Sequence, residues 1–341
     1  MRKNWLDYLR VLAVTGVVTI HATSHHYDQL FEKDPGTWWL ANLLNSAARF
    51  SVPMFVMISG CLLLNQNISV LDFYKKRMIR LVPATVIWSM FYIAFMVVTQ
   101  TGITDLGWFL RVGLWQEGAA YGHLWYLSML LCLMVFAPHL NYFVRGIAPT
   151  RNELQLLLGG FFLFLCAFQL STVVKEIVGL HVDWFKTFPL YMGYFLAGHY
   201  VDKHHAQIRL SNRAGIACIV LLLASGCLLN YWVAHRFNVV KDSFILSNLG
   251  PLVALITMIA FILFIKNATR LPESPLVSAI AASSFGIYLI HPVFLYYFRI
   301  WLSPDRINAS SYMLLEIFVA FVLSFTAIHC LRKMRYFRWI S

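Results

Sequence analysis

Arg10 and His21 are eleven residues apart, which at 100° per residue brings both to one face of a helix, about 16 Å apart along its axis. A guanidinium can hold phosphate, and an imidazole can take a proton near neutral pH. Stacked on one rod, the two suit a substrate with phosphate at one end and a reacting carbonyl at the other, and their separation is of the order of an extended pantetheine arm. A second set follows in SSFGIYLIHP, where Ser284, Tyr288 and His291 fall at i, i+4 and i+7 on one face and Pro292 disrupts the helix just after His291. His123 opens a further apolar run in GHLWYL. The three histidines His21, His123 and His291 are therefore expected near one outer depth, where a neutral imidazole serves as a general base. No carboxylate accompanies them at ligand spacing, so no metal is expected. Blander readings stand beside these: a buried histidine is often structural, and Trp125 and Tyr126 fit an interfacial aromatic belt.

Two arginines, Arg10 and Arg49, lie inside apolar runs, where an ionisable group is costly and hence a functional candidate. Asp7, three residues before Arg10, can pair with it, and Glu316 is the other acid well inside a run. Cations with so few acidic partners suit an anionic ligand, phosphate or carboxylate, better than ion-coupled transport. The densest basic cluster, Lys75, Lys76, Arg77 and Arg80 in DFYKKRMIRLVP, reads either as a topology signal or as a phosphate-binding fork.

These residues must be positioned by membrane-spanning elements. The chain has 341 residues, 60% of them hydrophobic and 12% charged, with a mean hydropathy of +0.67, which excludes an ordinary soluble domain. The formal net charge of +12 is spread between apolar runs, not gathered on one water-facing module, so nucleic acid is not an expected partner. Ten windows are long enough to cross a bilayer: 5–24, 38–64, 81–101, 123–144, 154–173, 185–201, 214–234, 244–265, 276–298 and 311–331. With the N-terminus inside, seventeen basic residues fall in cytoplasmic segments and eight outside, so both termini are expected in the cytoplasm. The basic start of the chain is read as a retained first helix and not as a cleaved signal, since Arg10 interrupts its apolar run. The six cysteines show no CxxC pair and read as small core residues. No internal repeat is present, which counts against transporter folds built from repeated halves. The expectation is an all-α integral membrane protein, a single bundle of about ten transmembrane helices over residues 1–341 with no separate soluble domain.

Four stretches together resemble the membrane acyltransferase 3 family, bacterial inner-membrane proteins that acylate hydroxyls of cell-surface polysaccharides. They are Arg10 to His21 after WLDYLR; ARFSVPMFVMISG, with Pro53 and Gly60 in the family's places; FYKKRMIRLVP; and SFGIYLIHP. The resemblance implies that His21 is the essential histidine with Arg10 as its partner. It also implies that Arg77 and Arg80 are the basic pair of a cytoplasmic loop that takes the coenzyme A nucleotide, with Lys76 where the family often has arginine. Some members carry a fused soluble domain outside the membrane, so any second transfer step is expected to need another protein.

The resulting expectation is transfer of an acyl group, acetyl by preference, from cytoplasmic acetyl-coenzyme A to a hydroxyl of a surface or lipid-linked polysaccharide at the outer face of the inner membrane. His21 is the base or the acyl carrier, while Ser284, Tyr288 and Arg49 are candidate donors to the oxyanion. A flippase of an anionic lipid-linked sugar, and a scaffold in a polysaccharide-assembly complex, are the rival readings. The aromatics Trp38, Trp39, Trp108, Trp115 and Trp184 fall at outer interfaces, as helix anchors or as sugar-stacking faces. Sequence leaves the acceptor sugar, the acyl length and the oligomeric state open.

Overall fold

The structure is a computed structural model. It describes residues 3–25, 27–64, 66–99, 121–147, 188–242, 244–303 and 307–334, together with ten positions between 151 and 173. Among the described residues there is no strand. The helices are α1 (Asn4–Ser24), α2 (Tyr27–Lys33), α3 (Pro35–Ala48), α4 (Ser51–Leu63), α5 (Val70–Thr99) and α6 (Trp125–Tyr142). They continue with α7 (Phe188–His204), α8 (Asn212–Phe237), α9 (Pro251–Lys266), α10 (Pro275–Trp301) and α11 (Ala309–Leu331). The described positions between 151 and 173 are also helical.

Local sequence explains the boundaries. Asp34, Ser211 and Ser274 accept hydrogen bonds from the backbone N–H three residues on, at 3.0, 3.2 and 3.3 Å, the standard use of a short polar side chain at a helix start. Proline stands in the first turn of α3, α9 and α10, where its missing N–H costs nothing. At the far end of α8, Asn238 takes a left-handed conformation, φ 56°, and turns the chain out of the helix.

Six helical stretches among the described residues are long and apolar enough to cross a membrane: Pro35–Leu63, Val70–Thr99, Gly122–Gly146, Asn212–Phe237, Pro275–Trp301 and Ala309–Leu331; Pro251–Lys266 is shorter. The chain is a helical membrane protein. Three expected spans differ in detail. The second is broken at Arg49 and Phe50, between α3 and α4, because Pro53 has no N–H to offer the carbonyl of Arg49 and its ring crowds that group. The third begins at Val70, eleven residues before the expected window. The eighth begins at Pro251, the seven residues before it being non-helical.

The described chain divides into two compact units, Met1–Leu64 with Pro149–His329, and Asn65–Ala148 with Cys330–Ser341. In the first unit α1 packs against α3, α4 and α10, and its Val14, Val18 and Ala22 are buried with Ile287, Leu295 and Ala320. Lipid tails are as apolar as leucine, so close packing of small residues holds such helices together more than water exclusion does. The tightest instance is the crossing of α4 with α7, where a Cβ on Gly60 would collide with the carbonyl of Phe195, and one on Gly198 with that of Met57. Trp38 is 1% exposed and packs on Tyr27 and Phe31, so it anchors α3 and offers no face to a sugar; Trp108, Trp115 and Trp184 lie outside the described residues.

In the second unit α5 packs against α6. The Tyr74 hydroxyl donates to the carbonyl of Val135 at 2.7 Å, and Asn141 exchanges two hydrogen bonds with the backbone of Gln66.

Candidate functional site

Pro292 sets the site's geometry. Lacking an N–H, it leaves the carbonyl of Tyr288, four residues earlier in α10, without its helical donor. His291 takes that vacancy, its Nδ1 lying 2.7 Å from the Tyr288 oxygen and 3.3 Å from that of Ile287. A carbonyl only accepts, so Nδ1 carries the proton and Nε2 the lone pair. The ring is 0% exposed. Facing it from α1 is His21, with ring centroids 5.0 Å apart and planes at 44°. Tyr288 lies one turn back, its ring 6.2 Å from that of His291, while Ser284 spends its hydroxyl proton on the carbonyl of Ala281 at 2.9 Å.

Two arginine–carboxylate pairs stand at this end of α1. Arg299 donates through Nε to the fully buried Glu316 at 2.6 Å and through Nη2 to the carbonyl of His21 at 3.2 Å. It thereby serves the last turn of α1, where carbonyl oxygens lack intrahelical partners and a cation is favoured. Arg49, 7% exposed, pairs with Asp242 at 2.6 Å and with Asn45, one turn earlier in α3, at 2.7 Å. Asp242 also accepts from Ser24 and, at 3.4 Å, from Asn45. Burial alone would raise the Asp242 carboxyl, but the Arg49 charge and these hydrogen bonds outweigh it and hold the group below its ordinary value.

These pairs correct the expectation of intramembrane arginines with few acidic partners. Arg10 also has a partner, since its Nη1 lies 2.8 Å from Asp7, as the spacing of the two allows. Asp242 escaped notice because it belongs to the segment after α8, which the structure folds back onto α1 and α3. Arg299 escaped because its partners His21 and Glu316 are brought to it only by the packing of α1 and α11 on α10. The one available signal was Asn45 at i−4 from Arg49.

The remaining candidates lie in the second unit. His123 is 2% exposed, its ring edge-on to Tyr92 at 4.9 Å and to Tyr121 at 5.7 Å. Of the three histidines expected together, the structure pairs His21 with His291 and packs His123 among these tyrosines. Lys75, Lys76, Arg77 and Arg80 are exposed and sit in the first turns of α5, not in a loop. That helix has 30 residues, about 45 Å at 1.5 Å per residue, against a hydrocarbon core of about 30 Å. The helix is therefore longer than one crossing needs, and its basic side chains all fall within its first eleven residues.

Comparison with known proteins returned no match among curated proteins and none among solved structures. One family model, described as an acyltransferase domain, matches residues 3–331. That span holds α1 with His21, the broken helix with Arg49, the basic start of α5, and α10 with His291, which stays helical through Pro292 where a disruption was expected; on it the chain belongs to the acyltransferase 3 family.

Proposed function

We propose that the protein moves an acetyl group from cytoplasmic acetyl-coenzyme A to a hydroxyl of a polysaccharide, surface-attached or lipid-linked, at the outer face of a bacterial inner membrane. The observation that carries this reading is the His21–His291 pair at 5.0 Å, set in a chain that belongs to an acyltransferase family. His21 takes the proton of the acceptor hydroxyl. The freed oxygen attacks the thioester carbonyl, the carbon–sulfur bond breaks, and the proton passes from His21 to the leaving thiolate, so that an ester and free coenzyme A result. His291, its Nδ1–H committed to Tyr288, presents one lone pair toward this chemistry and balances charge on its neighbour. Arg77 and Arg80, with Lys76 beside them, bind the donor's phosphates; Arg10, on the first helix with His21, is the further candidate for an anionic group.

The topology belongs to the same proposal: ten crossings with both termini in the cytoplasm, supported by the excess of basic residues on that side. The stretch PGTWWLANLLNSAARFSVPMFVMISG resembles that of the O-acetyltransferase of enterobacterial common antigen, which supports a repeating surface glycan as acceptor. The rival flippase reading loses its motive, because its intramembrane arginines Arg10 and Arg49 already pair with Asp7 and Asp242.

The test is turnover of radiolabelled acetyl-coenzyme A by protein in liposomes, with and without a lipid-linked glycan fraction. Wild type is expected to label the glycan, His21→Ala to lose labelling by at least about a hundredfold, and Arg77→Ala to need more donor for half-saturation. A His21→Ala protein that labels glycan at the wild-type rate sinks the assignment.

A further inference from the structure

Asp242 is divided between two tasks. Its Oδ2 receives Arg49 at 2.6 Å, Ser24, and Asn45 at 3.4 Å, while Oδ1 makes no hydrogen bond among the described residues, and the side chain keeps 23% of its surface exposed. One oxygen is locked into the protein, and the other is left without a hydrogen bond among the described residues on a side chain that is part exposed. The carboxylate is placed with care: Ser24 lies one helical turn beyond His21 on α1, about 4.5 Å along the axis. Asn45 also bonds Thr23 at 2.9 Å, fixing α1 to α3 at that level.

The charge arithmetic selects the ligand. Arg49 and Asp242 cancel, so the pair attracts neither an anion nor a cation strongly. An anchored carboxylate oxygen beside a matched guanidinium is instead a strong acceptor for neutral O–H donors, since charge-assisted hydrogen bonds are shorter and stronger than neutral ones. A molecule rich in hydroxyls, approaching the end of α1 that carries His21, meets this oxygen within one turn of the imidazole. We infer that Asp242 Oδ1 is the hydroxyl-accepting group of an acceptor subsite, which holds a neutral sugar by a hydroxyl neighbouring the one acylated. The inference rests on the acyltransferase reading above and assigns the acceptor's recognition residue, which that reading leaves unnamed.

Asp242→Asn tests it with little change of shape. The amide keeps an oxygen for Arg49, Ser24 and Asn45 and puts an NH2 where a hydroxyl acceptor stood. In liposomes, the amount of lipid-linked glycan fraction giving half-maximal labelling is expected to rise at least tenfold, with half-saturation by acetyl-coenzyme A unchanged. Ser24→Ala, which removes one anchor but leaves Oδ1 in place, is expected to shift the glycan requirement less than threefold. Tryptophan fluorescence titrated with the same fraction reads glycan binding without turnover, and it should weaken in Asp242→Asn alone. If wild type consumes no acetyl-coenzyme A but the titration differs as stated, the acyl-transfer reading fails and the subsite stands. An unchanged titration in an Asp242→Asn protein that melts with the wild type overturns the subsite, as does equal loss for donor and glycan.

Discussion

His291 owes its orientation to a neighbour that makes no contact through a polar atom. Because Pro292 cannot donate, the Tyr288 carbonyl is available to Nδ1 at 2.7 Å, and the ring is held in one tautomer with Nε2 as its acceptor. His291→Phe keeps a flat ring against His21 and removes both nitrogens. It is expected to lower kcat by about a hundredfold or more, within the range typical of a lost acid–base partner, while the KM for acetyl-coenzyme A holds; equal kcat in wild type and variant would leave His291 a packing residue. The histidines and the inner arginines were legible as types and spacings, because helical periodicity places i, i+4 and i+7 on one face before any fold is known. Asp242 and Arg299 were not, since their partners come from other elements. No rule of spacing joins Arg299 on α10 to a backbone carbonyl on α1.

At the scale of elements, the apolar windows marked the helices and missed their interruptions. Hydropathy averages over a window and does not register one proline, so 38–64 reads as a single run although Pro53 breaks it next to Arg49. It is equally blind to the basic start of α5, where helix continues through residues too polar for a span. Glycine placement, by contrast, carries the α4–α7 crossing. Gly60→Ala and Gly198→Ala each force a methyl into a facing backbone carbonyl and are expected to cost about 1–3 kcal/mol, the usual range for overpacking. Gly122→Ala, where a Cβ meets nothing within 4 Å, serves as control. Thermal unfolding in detergent measures all three, and a Gly198→Ala protein as stable as Gly122→Ala would show that the two helices are not held in contact.

At the scale of the whole molecule, the all-helical architecture and membrane character follow from composition, and the family follows from four short stretches in fixed order. Orientation rests on charge alone, through the excess of lysine and arginine in the segments assigned to the cytoplasm. With native cysteines replaced, a cysteine introduced at Ser341 is expected to react with an impermeant maleimide only after inner-membrane vesicles are inverted, and one at Glu32 only in intact spheroplasts. The reverse pattern would invert the topology and put the donor on the wrong side. Spanning a membrane also sets a constraint that soluble transferases escape: chemistry between its two faces must not let hydrogen ions leak down their gradient. The commitment of His291 Nδ1 to a backbone carbonyl meets that need. A proton that enters at Nε2 cannot leave by the opposite nitrogen without breaking the Tyr288 bond, so it departs by the atom at which it arrived. The ring is a dead end for conduction, so His291 can exchange protons at Nε2 without passing them on along the helix.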